Sequence, residues 1–285
     1  MSAAEIDAGE FRQGQRQDWN TASSGWRKWN ELIDETTHAV SDRMVEMAGI
    51  KAGDRVLDVA AGYGEPSLTA ARVVGPEGSV VASDISSGML EFGRERATAA
   101  GIENIEFLES DAASLDFPAE SFDAALSRWG IIFEPDGEGA AARVRGFLKP
   151  GSRMAIASWG PPERVPMLAV PMMTAMKRLE LPPPPPGRPG PLSRPTPDAV
   201  GGLLAGGGFS GIEVEQLELS MEWDSPADFT SFVKEIAPPV SNLLASHPPE
   251  VREETWAAIT DAAGDYAEDG RVRMVNLALI AAGDA

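Results

Sequence analysis

The sequence predicts an α/β protein. Its core is a doubly wound, mostly parallel sheet of seven strands, with an antiparallel strand at the C-terminus and inserted helical cap elements. Three observations lead there. Arg55 to Pro66 (RVLDVAAGYGEP) reads as a buried strand, a Gly-rich turn and a helix start. Ser79 to Asp84 repeats the strand signal one helix later. Short apolar runs then alternate with helix-length segments as far as Gly160, the pattern of βα units.

The first unit carries the most information. Val56, Leu57 and Val59 suit a strand buried on both faces. Asp58 interrupts them, and a buried carboxylate is costly unless something hydrogen-bonds it. The turn Ala60-Ala61-Gly62-Tyr63-Gly64 lets the backbone approach a ligand, although any tight βα turn uses glycine. Pro66 fits the first turn of the helix Ser67 to Val74. Asp84 stands 20 positions beyond Gly64, at the end of the second strand, where an acid accepts from ribose hydroxyls. The third glycine of a dinucleotide loop is missing, and so is a phosphate-binding P-loop. A carboxylate inside the first strand repels phosphate and attracts cations. S-adenosylmethionine has an ammonium, a sulfonium and a ribose, and no phosphate.

At this point the chain resembles a known family. The succession VLDVAAGYGEPSLTAA, VVASDISSGMLEFGRERA, IEFLESDAASLDFPAESFDAALSRWGIIF and FLKPGSRMAIASWG is similar to class I S-adenosylmethionine-dependent methyltransferases. Within them it is nearest the branch of quinone-biosynthesis C-methyltransferases and related small-molecule enzymes, including those of secondary metabolism. The resemblance covers about residues 20 to 160 and stops there. It departs at Ala60, where the family usually has glycine, and at Ala61, where it often has cysteine. It implies a Rossmann-like fold that binds S-adenosylmethionine and releases S-adenosylhomocysteine. Asp58, Gly62 and Gly64 would cradle the methionine part, with Tyr63 beside it and Ala60 in the same cofactor set, and Asp84 would take the ribose. Met89 would pack near the adenine, whose edge Asp111 and Ala112 would read. Ile85 and Ser127 complete the cofactor set. The [ND]PP[YFW] tetrapeptide of amide and adenine N-methylating relatives is replaced by Ser127-Arg128-Trp129-Gly130.

Composition narrows the partners. With 44 acidic against 24 basic residues the formal charge is −20, which argues against nucleic acid and anionic membranes. No stretch approaches 18 consecutive apolar residues, and the N-terminus lacks a signal pattern. Without cysteine there is no disulfide or thiolate metal site. No metal is expected, and a cytoplasmic enzyme is the default.

One domain is expected over 1–285. It comprises an N-terminal lid (about 1–50), a cofactor core (51–160), cap insertions (161–208 and 224–269) and closing strands (209–223 and 270–282). Residues 1 to 17 read as polar and weakly helical, and the apolar spacing predicts one helix from about Trp26 to Met47. Trp19 and Trp26 are candidates for contact with the acceptor. So are Arg128 and Trp129, at the carboxyl end of the sheet, and Met172 and Met176 in a Met-rich helix. The proline run 182–197 reads as an extended, polyproline-like flap or spacer. No convincing general base emerges; His38 and Arg128 are the weak catalytic candidates. The expected reaction is methyl transfer to a small, largely apolar molecule, by a monomer or a homodimer. Two alternatives stay open: another S-adenosylmethionine-dependent reaction such as a cyclisation, and a nicotinamide-dependent oxidoreductase.

Overall fold

The computed structural model describes residues 7–182 and 188–285. Two helices come first, α1 (Ala8–Lys28) and α2 (Asn30–Met47). Then β1 (Arg55–Val59), α3 (Ser67–Val74), β2 (Ser79–Asp84), α4 (Ser87–Ala99), β3 (Ile105–Glu109) and β4 (Phe122–Arg128) follow. After β4 the chain makes a 3-10 turn (Ile131–Phe133), then α5 (Gly137–Phe147) and β5 (Leu148–Trp159). The second half holds α6 (Pro166–Arg178), α7 (Pro197–Gly206), β6 (Ser210–Trp223), α8 (Pro226–Ile236), α9 (Pro238–Ala245) and α10 (Pro249–Gly264). It closes with β7 (Ala267–Glu268) and β8 (Arg271–Asp284).

The sheet order is β3-β2-β1-β4-β5-β8-β6. The first five strands are parallel, and β8 runs antiparallel between β5 and β6. The seven expected strands are all present; the two-residue β7, paired to β8, is the addition. The order reverses between β1 and β4, so their carboxyl ends frame the crevice where such sheets bind ligands.

The central strands β1, β2 and β4 and the later half of β5 are buried on both faces because helices cover both, whereas the edge strands β3 and β6 carry exposed glutamates. Val56, Ala124, Leu126, Ala155 and Ala157 face one cluster, with Val40 and Met44 of α2, Ala175 of α6 and Phe229 of α8. Leu57, Val59, Ala125, Met154 and Ile156 face the other, with Val144 of α5 and Leu203 of α7. Phe122 opens β4 in that second cluster, fully buried.

The N-terminal region departs from the one-helix reading. Residues 1–6 lie outside the described residues; from there Asp7 caps α1, accepting from the Gly9 and Glu10 amides at 2.8 and 3.0 Å, so the polar stretch from Ala8 on is regular helix. Trp29 (φ −98°, ψ 9°) ends α1 and re-aims the chain into α2. Its indole Nε1 donates to Glu235 Oε2 at 2.6 Å. Tertiary contacts of this kind do not show in hydrophobic periodicity. Residues 183–187 of the proline run lie outside the described residues. The part that follows is tied down: Ser193 Oγ donates to the Ile132 carbonyl at 2.9 Å, and Ser158 Oγ to that of Arg194 at 2.9 Å.

Candidate cofactor and acceptor site

Between β1 and α3 the backbone folds into a left-handed turn. Ala60 has φ 58°, Gly62 55° and Gly64 106°. Glycine adopts such values freely and alanine at a cost of about 1–2 kcal/mol. The Ala60 departure noted in the sequence therefore falls on a strained position. The Ala61 amide donates to the Ser83 carbonyl at 2.8 Å, fixing the turn against β2. A side chain on Gly62 would meet nothing within 4 Å, so the backbone there faces open space. Gly93 lets α4 approach from below; a Cβ there would stand 2.8 Å from the Phe107 ring and 3.5 Å from the Gly64 nitrogen.

Asp84 closes the turn from the neighbouring strand. Its Oδ2 accepts from the Gly62 amide and its Oδ1 from the Ser86 amide, both at 2.8 Å. Burial pushes its carboxyl up to about 6, against the opposing pull of those amides. Asp58 is fully buried and accepts from Ser67 Oγ at 2.5 Å through Oδ2, while its Oδ1 has no partner. Desolvation carries this carboxyl up to about 7, with the Ser67 hydroxyl and then the Arg128 charge pulling the other way. A buried, unpartnered acceptor beside an open backbone turn suits a ligand that brings a cationic donor.

Ser127 joins the ends of two strands. Its Oγ donates to the Val59 carbonyl at 2.8 Å and accepts from the Ile131 amide at 3.0 Å. Gly130 follows, so close to Ala60 that a Cβ would collide with the Ala60 methyl. Between them Trp129 takes φ 56° and stacks on Trp159, rings 4.3 Å apart and 3° from parallel. Two indoles thus line the carboxyl ends of β4 and β5.

Arg128 is 7% exposed and spends its guanidinium on the protein. Nη1 donates to Thr37 Oγ1 and Ser41 Oγ of α2 at 2.8 and 3.2 Å, and Nη2 to the Tyr63 hydroxyl at 3.2 Å. Arg128→Met is expected to cost about 2 kcal/mol of stability, because those hydroxyls and nearby buried carboxylates lose their cation. Urea unfolding checks this; an unchanged midpoint would contradict it.

Helix α1 runs across the ends of β2, β3 and β4. Asn20 Oδ1 accepts from Ser86 Oγ at 2.8 Å and from the Gly88 amide at 3.1 Å. Arg12 pairs with Glu134 at 3.1 Å and lies 3.9 Å from Asp111. Trp19 meets Phe133 edge-on at 5.5 Å, and Trp26 tilts over Tyr63 at 5.4 Å. Among the other expected residues, Met89 and Ala112 are buried and Ile85 half-buried. Asp111 accepts from the Ser114 amide and hydroxyl, both at 2.9 Å, and so caps its own turn. Met172 and Met176 are half-buried on α6. His38 points to solvent, 56% exposed, 3.3 Å from Asp42. Cavities of about 390 and 260 Å³ open elsewhere, one between α6 and α10 and one between α2 and β6. The chemistry points to the turn rather than to either cavity.

Sequence reading missed four residues of this neighbourhood: Asn20, Asp34, Glu65 and Arg96. Glu65 is buried and accepts from Thr69 Oγ1 at 2.8 Å. Asp34 and Arg96 pair across 62 positions, and no local pattern announces such a contact.

The model of the ubiE/COQ5 methyltransferase family matches residues 16–176, more than half of the 285. A ubiquinone/menaquinone biosynthesis C-methyltransferase UbiE of Pseudomonas fluorescens is 36% identical over 135 residues, 47% of this chain and 53% of that protein. The chain thus spans about half the length of the curated relatives it matches. The YcgJ protein of Bacillus subtilis shares the fold at TM-score 0.56, with 20% identity over 87% of this chain and 98% of that one. A Haemonchus contortus phosphoethanolamine N-methyltransferase 2, solved with phosphomonomethylethanolamine and S-adenosylhomocysteine, reaches TM-score 0.55. Its identity is 19% over 99% of this chain and 61% of its own.

Proposed function

The chain belongs to the ubiE/COQ5 methyltransferase family, and on that premise we propose that it transfers a methyl group from S-adenosylmethionine to a small, largely apolar metabolite. One observation carries the reading. Asp84 is held by two backbone amides beside the open face of Gly62, and Asp58 on the adjacent strand, near enough to feel the Asp84 charge, keeps an unpartnered oxygen. Asp58 would take the ammonium of the methionine part, and the free lone pairs of Asp84 the ribose hydroxyls. Asp111 and Ala112 would read the adenine edge. When bound, the donor supplies a sulfonium methyl; its carbon bonds to the acceptor as the bond to sulfur breaks and sulfur keeps the electron pair.

The protein's part is alignment and exclusion of water. Helix α1 supports the exclusion, since Trp19, Trp26 and Asn20 already close over the ends of β2 and β4. Trp129 and Trp159 offer the acceptor a flat apolar wall, with Met172 and Met176 as further lining. No base is assigned: His38 faces solvent and Arg128 is engaged by α2. An amine or an already ionised acceptor needs none. The reading extends to a cytoplasmic enzyme of secondary metabolism. Among the described residues, no helix is long and apolar enough to cross a membrane.

Thermal unfolding with added ligand separates this reading from the nicotinamide alternative. S-adenosylhomocysteine at 100 times its Kd should stabilise the fold by about 2.7 kcal/mol, a rise of several degrees in Tm. NADH should leave Tm unchanged. A rise with NADH and none with S-adenosylhomocysteine would reverse the assignment.

A further inference from the structure

We infer that Asp34, on the N-terminal helix α2, is a positioning residue that sets the shape of the cofactor turn through Tyr63. The inference rests on the reading of that turn as the S-adenosylmethionine site.

Tyr63 is the middle residue of Gly62-Tyr63-Gly64, and it is 2% exposed. Its hydroxyl donates to Asp34 Oδ1 at 2.8 Å and accepts from Arg128 Nη2 at 3.2 Å. Arg96 of α4 pairs with Asp34 through Nη2 and donates from Nη1 to the Tyr63 carbonyl at 3.1 Å. The same guanidinium lies over the Tyr63 ring, 4.7 Å from its centre. Asp34 and Arg96 therefore grip one residue at both ends, by its phenol and by its backbone. The two residues flanking Tyr63 are glycines with positive φ, the least stiff positions the turn has. Backbone amides hold the first half of the turn, Ala61 to Ser83 and Gly62 to Asp84, and the anchored Tyr63 side chain adds a hold at its centre.

The grip reaches the ligand-facing groups. The Gly62 amide, one residue before Tyr63, is the donor that orients Asp84 Oδ2. A chain of contacts thus runs from Asp34 to Tyr63, to Gly62, to Asp84, although Asp34 touches neither the open face of the turn nor Asp84. Burial explains why it works. Tyr63 packs among Phe92, Trp26 and Arg128 and is itself buried, so its hydroxyl relies on Asp34 as its acceptor. Without Asp34 the phenol loses its acceptor and Arg96 its counter-charge, and the turn samples shapes in which Gly62 no longer meets Asp84. Ligand binding must then select the competent shape at a cost in affinity.

The test is calorimetric titration of S-adenosylhomocysteine into the full chain and into Asp34→Ala, Asp34→Asn and Tyr63→Phe. Hydrogen exchange over residues 60–65 is followed in parallel without ligand. Asp34→Ala should weaken binding about 10-fold and Tyr63→Phe about 3-fold, with one site per chain retained. Asp34→Asn keeps an acceptor for the phenol and should fall between wild type and Asp34→Ala. Exchange over 60–65 should rise in Asp34→Ala before any ligand is added. A merely structural role would lower the fraction of competent sites and leave Kd unchanged, and that result overturns the inference. So does wild-type affinity in a folded Asp34→Ala, or, should that variant not fold, in Tyr63→Phe. If the wild type binds no S-adenosylhomocysteine, the cofactor reading fails, while unchanged exchange in Asp34→Ala would separately sink the anchoring of the turn.

Discussion

Asp84→Ala is expected to weaken binding of S-adenosylhomocysteine by about 100-fold or more, with the fold retained. The carboxylate does two things that alanine cannot. It accepts the Gly62 and Ser86 amides at 2.8 Å each, which fixes the turn and the start of α4 relative to each other. Its remaining lone pairs are the acceptors proposed for the ribose. Hydrogen bonds to a charged group contribute about 1.5–3 kcal/mol each, so losing two at the ligand corresponds to two or more powers of ten. The protein should survive, because ionised Asp84 is itself a burden on the fold. Its carboxyl is pushed up to about 6 by burial, so above that pH the native state holds a desolvated charge. Equal affinity of variant and wild type, measured by calorimetry, would remove Asp84 from the site.

Asp58→Asn is expected to stabilise the protein at pH 8, by up to about 4 kcal/mol, and to weaken cofactor binding. The sign follows from the direction of the shift. Burial lifts the Asp58 carboxyl from its ordinary 3.8 to about 7, so the folded state favours the neutral acid. Below pH 4 folded and unfolded chains are both protonated and the residue costs nothing. Between about pH 4 and 7 the unfolded chain releases a proton that the folded one retains, and stability falls as pH rises. Above 7 the loss is complete. Asparagine keeps the shape and the Ser67 contact without the charge, so its advantage should be small at pH 4.5 and full at pH 8. Urea midpoints at the two pH values decide it; a variant less stable than wild type at pH 8 would contradict the account. A carboxylate whose removal improves the fold but impairs binding is the mark of a residue kept for its ligand.

Much of this candidate site's geometry could be read from the chain alone, and the reason is local chemistry. Asp58, Gly62, Gly64 and Asp84 belong to elements whose type and order follow from apolar runs, glycines and spacing. The sheet order then brings Asp84 to Gly62, because β2 pairs beside β1 in parallel register. The closing strands were equally plain: Ile212, Val214, Leu217, Leu219 and Met221 alternate with polar residues along β6. What stayed hidden is what joins distant segments. Trp29, where the N-terminal helix breaks, donates its indole N–H to Glu235, 206 positions on. Arg128 stood open as a substrate ligand until α2 supplied Thr37 and Ser41. Tyr63 read as a neighbour of the ligand, and its anchoring to Asp34 needed the fold. The acceptor end is the least legible, since the residues proposed for it are scattered from Trp19 to Met176 and share no motif.

The measurement that tests the central claim most directly is calorimetric titration of S-adenosylhomocysteine into the wild-type protein, with Asp84→Ala beside it. The account predicts one site per chain of micromolar affinity, lost in the variant. A folded wild-type protein that takes up no S-adenosylhomocysteine would contradict it.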